Sequence, residues 1–134
     1  MCNLSDIDEV VNIFNSFGTE LILMHSVSTY PAREETLNLN FIKTLQKRYN
    51  LDVGYSGHEA SVSPSIVAAV LGAQYIERHI TLDRSMWGTD HSASLELTGI
   101  TQLVGSIRKL PAILGNGNKV FLDDEKIAAE KMRY

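Results

Sequence analysis

The stretch VGYSGHE at residues 53–59 and its echo IERHIT at residues 76–81 decide the fold of this chain. Each is a short run of mainly apolar residues that turns polar and reaches a histidine. Such a run is typical of a strand in a parallel sheet that is covered on both faces. His79 follows His58 by 21 residues, which is the length of one strand-helix-strand unit. We therefore predict that the two histidines lie side by side at the carboxyl ends of neighbouring strands.

Two imidazoles at adjacent strand ends can bind one metal ion. The alternative is that each histidine is structural or merely solvated, which is the usual state of a lone histidine. Successive side chains of a strand point to opposite faces. His79 should therefore share a face with Glu77, and His58 should share one with Ser56, whereas Arg78 should point behind the sheet towards a carboxylate.

The composition indicates a globular protein and excludes several classes of partner. The 134 residues have the size of one domain, with 44% hydrophobic and 21% charged residues. A net charge of −4 and the lack of a basic tract argue against nucleic acid or an anionic membrane as the main partner. No apolar run approaches the roughly 18 residues of a membrane span. The single cysteine, Cys2, cannot form an internal disulfide, which fits a cytoplasmic location.

Predicted helices and strands alternate along the chain. The first helix begins at Ser5 as N-cap and ends near Gly18. The predicted strands are residues 21–28, 52–56 and 74–80, and the later helices are residues 38–49, a segment from Pro64, 98–110 and 124–132, with a short extended piece at 119–122. Strands that alternate with helices imply an α/β fold with a parallel sheet. Similar repeat lengths and polar strand ends favour part of a (β/α)8 barrel over a doubly wound sheet.

Four stretches, taken in order, carry a resemblance to a known family. They are residues 23–31 (LMHSVSTYP), 53–59, 76–83 (IERHITLD) and 87–96 (WGTDHSASLE). They resemble the sialic acid synthases, which include N-acetylneuraminate synthases and their legionaminic and pseudaminic relatives. The resemblance implies a TIM barrel of which residues 1–134 form one incomplete domain, with three parallel βα units as barrel strands six to eight. A helix precedes these units and a helical tail follows them, and we expect no antifreeze-like domain after the tail.

The resemblance also implies a reaction. Family members condense phosphoenolpyruvate with an N-acetylated hexosamine such as N-acetylmannosamine, release phosphate and form a nine-carbon 2-keto acid. The divalent metal, Mn²⁺ or Mg²⁺, is bound by two histidines that match His58 and His79, which are therefore the implied catalytic and metal-binding residues. The metal would polarise the aldehyde of the open-chain sugar as a Lewis acid.

Four further positions are implied to contact the substrates. Ser56 matches a serine that hydrogen-bonds phosphoenolpyruvate, and Ser28 stands where some members carry an asparagine that binds the same ligand. Tyr30 and Asp90 match positions that contact the sugar, and Asp90 could hold two hydroxyl groups as a bidentate acceptor. The family resemblance also leads us to expect a homodimer.

The chain contains only some of the residues that the resemblance implies for this reaction. The lysines that bind phosphoenolpyruvate in this family, and a glutamate near the metal, belong to earlier strands of an eight-stranded barrel. We therefore expect the chain to be inactive alone. One alternative is a non-catalytic truncated or self-associating half-barrel. Another is a different metal-dependent barrel enzyme, such as an aldolase or sugar isomerase, which would leave the motif at residues 87–96 unexplained.

Overall fold

A computed structural model describes residues 1–133 of the chain. Strands and helices alternate in it, as the sequence predicts. The helices are α1 (Leu4–Ser16), α2 (Phe41–Tyr49), α3 (Ser63–Val70), α4 (Leu97–Leu114) and α5 (Asp123–Met132), and the strands are β1 (Leu23–Ser26), β2 (Val53–Gly57) and β3 (Tyr75–Arg78). Short 3-10 turns cover Glu34–Thr36 and His91–Ala93. The predicted order of one helix, three βα units and a helical tail is therefore confirmed.

The three strands form one parallel sheet in the order β1-β2-β3. Ser26 pairs with Ser56, and Gly57 pairs with Arg78. The residues that follow this last pair are His58 and His79, so both histidines leave the sheet at the same edge. Their predicted position at neighbouring strand ends is confirmed.

The hydrophobic core lies between the helix-facing side of the sheet and α2 and α3. It is built from Ile42 and Leu45 of α2, Val53 and Tyr55 of β2, and Ala68 of α3. Val53 and Tyr55 are two residues apart, so they point to the same face of the strand. Burial of an aliphatic or aromatic side chain contributes about 1.5–3 kcal/mol. These contacts therefore hold both helices against the central strand.

The opposite face of the sheet carries side chains in rows across the strands. Met24, Gly54 and Tyr75 are paired in one row. A β-carbon at position 54 would lie 2.9 Å from the β-carbon of Tyr75, closer than β-carbons normally approach, so glycine suits the point where these side chains meet. Met24 and Tyr75 remain 39% and 44% exposed. This row is therefore apolar and largely uncovered among residues 1–133, whereas the next row on the same face carries Ser56 and Glu77.

β1 and β3 are shorter than the predicted strands 21–28 and 74–80, whereas β2 has the predicted length and is displaced by one residue. Beyond β3, Ile80 makes an isolated parallel bridge with Leu95. Residues 119–122 belong to no helix or strand, and the backbone of Leu122 is extended. The helix predicted at 98–110 continues to Leu114 and contains Pro111 in its last turn. Proline removes one helical hydrogen bond, and this last turn nevertheless stays helical.

The N-cap of α1 is Asn3 rather than the predicted Ser5. The Asn3 side chain accepts from the backbone N–H of Asp6, and the Asp6 carboxylate accepts from the backbone N–H of Asn3. This reciprocal capping box satisfies two donors at once. No helix among residues 1–133 is both long enough and apolar enough to cross a membrane.

Truncation of the core at Ile42 tests this packing. Ile42 is 0% exposed, and we expect Ile42→Ala to lower the free energy of unfolding by about 2–5 kcal/mol through lost burial and a residual cavity. The matched control is Ile113→Ala, because Ile113 is 71% exposed and should change it by less than about 0.5 kcal/mol. Urea unfolding followed by circular dichroism measures both, and equal effects would contradict the assigned core.

Candidate functional site

Three aromatic rings meet at the carboxyl edge of the sheet. The ring centroids of His58 and His79 are 5.2 Å apart, and Tyr30 lies 4.4 Å from His58 and 5.8 Å from His79. Tyr30 comes from the loop after β1. The backbone N–H of Ala32 donates to the carbonyl of His58 at 2.9 Å and ties this loop to the end of β2. Residues that are far apart in the sequence are thus collected at one point.

The hydrogen bonds of His58 indicate which ring nitrogen carries the proton. Nδ1 lies 3.1 Å from the carbonyl oxygen of Val27, which can only accept, so Nδ1 carries the proton. The Ser26 hydroxyl lies 3.4 Å from the same nitrogen. Nε2 is then the nitrogen that can accept from the Tyr30 hydroxyl, which is 3.1 Å away. A histidine whose second nitrogen donates to a backbone carbonyl has the arrangement found in metal-binding histidines.

His79 faces a loop that carries Asp90. Nδ1 of His79 lies 3.7 Å from Oδ2 of Asp90, which is longer than a hydrogen bond. The backbone N–H of Leu95 donates to the carbonyl of His79 at 2.8 Å, and the hydroxyl of Ser94 donates to the carbonyl of Asp90 at 2.7 Å. Backbone contacts therefore hold the Asp90 loop beside the second histidine.

An open cleft adjoins His79 on the side of this loop. Its volume is about 330 Å³, within the size range of small-molecule sites. Its lining contains imidazole, carboxylate and hydroxyl groups, from residues His79, Ile80, Gly88, Thr89, Asp90, His91 and Ser94. These groups can both donate hydrogen bonds to a polyhydroxylated ligand and accept them from it.

The two serines of the predicted set have different surroundings. Ser56 is buried one row below the histidines, and its hydroxyl donates to Oε1 of Glu77 at 2.6 Å. Ser28 is exposed in the loop after β1, and within residues 1–133 its side chain makes no hydrogen bond. The structure thus brings Tyr30, Ser56 and Asp90 close to the histidine pair, whereas it gives no contact for Ser28.

A buried ion pair lies directly behind the histidines. Nη1 of Arg78 is 3.0 Å from Oε1 of Glu59, and the two side chains are 1% and 0% exposed. The Tyr55 hydroxyl donates to Oε2 of Glu59 at 2.8 Å. Burial lowers the pKa of Arg78 and raises the pKa of Tyr55. Removal of one partner of such a pair costs about 3–5 kcal/mol, because an uncompensated charge remains.

Sequence reasoning placed Arg78 behind the sheet but did not identify Glu59 as its partner. The feature of the sequence that could have identified Glu59 is the alternation after His58. An extended chain that presents His58 on one face presents Glu59 on the other, where Arg78 lies. His25 also lies on the helix side of the sheet. Its Nε2 donates to the carbonyl of Leu37 at 2.7 Å, and its ring packs on Phe41.

The separation of the two histidine rings is compatible with both binding one divalent ion as part of a larger ligand set. Two imidazoles bound to one ion place their centroids about 4.5–6.5 Å apart for metal–nitrogen distances near 2.1 Å, and 5.2 Å lies in this range. The part of the chain that the structure describes contains no group of three or more His, Cys, Asp or Glu residues arranged to hold a metal. Further ligands would have to come from substrate, water or other protein segments.

Comparisons with known proteins relate nearly all of the chain to one family. The model of the NeuB family matches residues 1–119. The N-acetylneuraminate-9-phosphate synthase of Homo sapiens is 37% identical over 133 residues, which are 98% of this chain and 37% of that protein. The N,N'-diacetyllegionaminic acid synthase of Campylobacter jejuni is 38% identical over 122 residues, which are 89% of this chain and 36% of that enzyme. The chain therefore spans just over a third of these relatives.

A solved structure has the same fold over nearly all of the chain. It is an N-acetylneuraminic acid synthetase from Leptospira borgpetersenii in complex with citrate, with a TM-score of 0.82 and 34% sequence identity. The match covers 98% of this chain and 46% of that one. The similarity therefore includes both histidine-bearing strands.

Replacement of Tyr30 by phenylalanine tests the proton assignment of His58. Tyr30→Phe retains the ring but removes the hydroxyl that donates to Nε2, so we expect the ¹⁵N resonance of Nε2 to shift while Nδ1 stays protonated. The measurement is long-range ¹H–¹⁵N correlation in alkaline buffer, where free imidazole is neutral. Tyr49→Phe is the control, because Tyr49 hydrogen-bonds Asp8 instead. A proton on Nε2 in the unmodified protein would contradict the assignment.

Proposed function

The chain belongs to the NeuB family of sialic acid synthases, and on this basis we propose that it supplies the metal-binding and sugar-facing part of a synthase. The enzyme would join phosphoenolpyruvate to an N-acetylated amino sugar, release phosphate and form a nine-carbon 2-keto acid. The observation that carries this proposal is the pair His58 and His79 at adjacent strand ends, with ring centroids 5.2 Å apart.

The architecture we propose is the last three strands of an eight-stranded (β/α)8 barrel. All three strands are parallel, and each is followed by a helix. Their polar groups collect at the carboxyl ends, which is where TIM-barrel enzymes have their active sites. The exposed row of Met24 and Tyr75 supports the same architecture, because it would lie inside a closed barrel.

His58 and His79 are the proposed metal ligands. A bound Mn²⁺ or Mg²⁺ would supply Lewis-acid polarisation of the sugar aldehyde. The Val27 carbonyl fixes the His58 ring through Nδ1 and directs Nε2 towards the site. Because the Tyr30 hydroxyl occupies Nε2 in this structure, use of that nitrogen as a ligand leaves the hydroxyl free to hydrogen-bond the sugar.

The proposed sugar contacts are Tyr30 and Asp90, which border the second histidine and its cleft. Asp90 can accept hydrogen bonds from two sugar hydroxyl groups. Ser56 and Ser28 are the proposed contacts to phosphoenolpyruvate. The Ser56 hydroxyl donates its one proton to Glu77 here, so it must rotate away from Glu77 to donate to the carboxylate or phosphate of the substrate.

A second candidate function is a non-catalytic half-barrel that associates with itself. The observation that favours it is the uncovered apolar row on the front of the sheet, where Met24 and Tyr75 are 39% and 44% exposed. A second copy of the chain could cover this face. Catalysis by a completed barrel that contains these residues distinguishes the two functions.

Metal affinity tests the histidine pair. We expect the 134-residue chain to bind Mn²⁺, and His58→Ala or His79→Ala to weaken binding at least tenfold because each removes one of two protein ligands. The control is His25→Gln, since His25 lies on the helix side of the sheet. Electron paramagnetic resonance of free Mn²⁺ measures the affinity. Unchanged affinity in both alanine variants would remove the proposed site.

Phosphate release tests the division of the active site. With Mn²⁺, phosphoenolpyruvate and N-acetylmannosamine, we expect the 134-residue chain alone to release no phosphate, because the phosphate-binding groups are expected on earlier strands. A chimera with the first part of a complete relative placed before residue 1 should release phosphate, and His58→Ala should abolish this. Phosphate release by the chain alone would refute the proposed division, and an inactive, folded chimera would favour the non-catalytic function.

A further inference from the structure

Each histidine of the pair is directly bonded in the sequence to one partner of the buried ion pair. Glu59 follows His58, and Arg78 precedes His79. Successive side chains of an extended chain point to opposite faces. The histidines therefore lie in front of the sheet, and the carboxylate and guanidinium meet 3.0 Å apart behind it.

The guanidinium of Arg78 joins backbone segments that follow two different strands. It donates to the carbonyls of Glu59 and Ser61, which lie just after His58, the latter at 2.8 Å. It also reaches the carbonyl of Ala93 at 3.5 Å, in the loop that carries Asp90. One side chain thus links the segment after β2, the end of β3 and the loop before α4.

The carboxylate of Glu59 is also fixed by several hydrogen bonds. It accepts from the Tyr55 hydroxyl at 2.8 Å and from the Ser65 hydroxyl at 3.3 Å, and Ser65 also accepts from Arg78 at 3.1 Å. Tyr55 is fully buried in β2, and Ser65 is fully buried in the first turn of α3. The ion pair is therefore anchored to two rigid elements.

Stability alone is a poor explanation of this arrangement. Both charges are removed from water, and Nε of Arg78 is buried without a hydrogen-bond partner among residues 1–133. Replacement of a buried ion pair by apolar residues of similar volume is often neutral or stabilising. What an apolar pair cannot do is hold several carbonyl groups in a fixed planar pattern, as the rigid fork of arginine does.

We propose that Glu59 and Arg78 are positioning residues that set the separation of His58 and His79, and through it the affinity of the site for a divalent ion. The dependence on the ion rests on the proposed function. The effect on the two rings does not, because it can be measured in the metal-free protein.

The decisive variant is the double substitution Glu59→Leu with Arg78→Met, which retains volume and removes both charges. We expect it to fold with a lower thermal unfolding temperature, because the buried Tyr55 and Ser65 hydroxyls lose their acceptor. Its Mn²⁺ affinity should fall at least tenfold, within the 10–100-fold range seen when groups that orient metal ligands are lost. The nuclear Overhauser contact between the His58 and His79 rings should weaken without metal.

The matched control is the ion pair of Asp8 and Arg48, which joins α1 to α2 at 2.7 Å far from the histidines. Asp8→Leu with Arg48→Met should leave both the Mn²⁺ affinity and the ring contact unchanged. Equal losses in the control and the decisive variant would mean that any loss of an ion pair disturbs the site, and would overturn the proposal.

Other results of the affinity and ring-contact measurements also decide whether Glu59 and Arg78 position the histidines. A folded Glu59→Leu/Arg78→Met variant with unchanged affinity and ring contact would overturn the proposal. If this variant does not fold, Arg78→Lys keeps the charge but lacks the fork, and the same two measurements decide. If the unmodified chain binds no Mn²⁺, the proposed function fails, and the ring contact alone then supports or overturns the positioning role.

Discussion

The pairing of Gly57 with Arg78 in the parallel ladder is the constraint on which the rest of the site depends. It places His58 beside His79 in front of the sheet and Glu59 within reach of Arg78 behind it. A slip of one residue would turn one histidine towards the helices and one charge towards the front, because the side-chain period of a strand is two. The imidazole pair and the ion pair are thus two consequences of a single register.

Charge balance follows from the same arrangement. Arginine remains protonated in proteins, so Arg78 places a permanent positive charge close behind two imidazoles. An uncompensated cation there would oppose a second cation in front, since electrostatic interactions are weakly screened in a buried environment. Glu59 neutralises the guanidinium at 3.0 Å. The strand ends therefore present nitrogen lone pairs in front without a net positive charge behind them.

The two faces of the sheet differ in how far they are covered by other parts of the chain. The helix-facing side is covered by α2 and α3 and holds the core around Ile42, Val53 and Tyr55. The opposite side leaves Met24 and Tyr75 over a third exposed within the described residues. The chain is also just over a third as long as its curated relatives. A complete site would accordingly combine these strand ends with groups from other segments.

Local patterns in the sequence are enough to predict the three parallel βα units and the adjacency of His58 and His79, because apolar runs, helical spacing and the period of two are properties of short segments. The same local alternation placed Arg78 behind the sheet. The sequence could not show that Asn3 rather than Ser5 caps α1. Both residue types are good N-caps, and the side-chain conformation decides which of them bonds to the helix. Nor could the sequence show that Glu59 meets Arg78, or that the Tyr30 hydroxyl reaches Nε2 of His58. Those contacts join residues 19 and 28 positions apart, and only the register of the strands and the path of the loops in three dimensions bring their atoms within hydrogen-bonding distance.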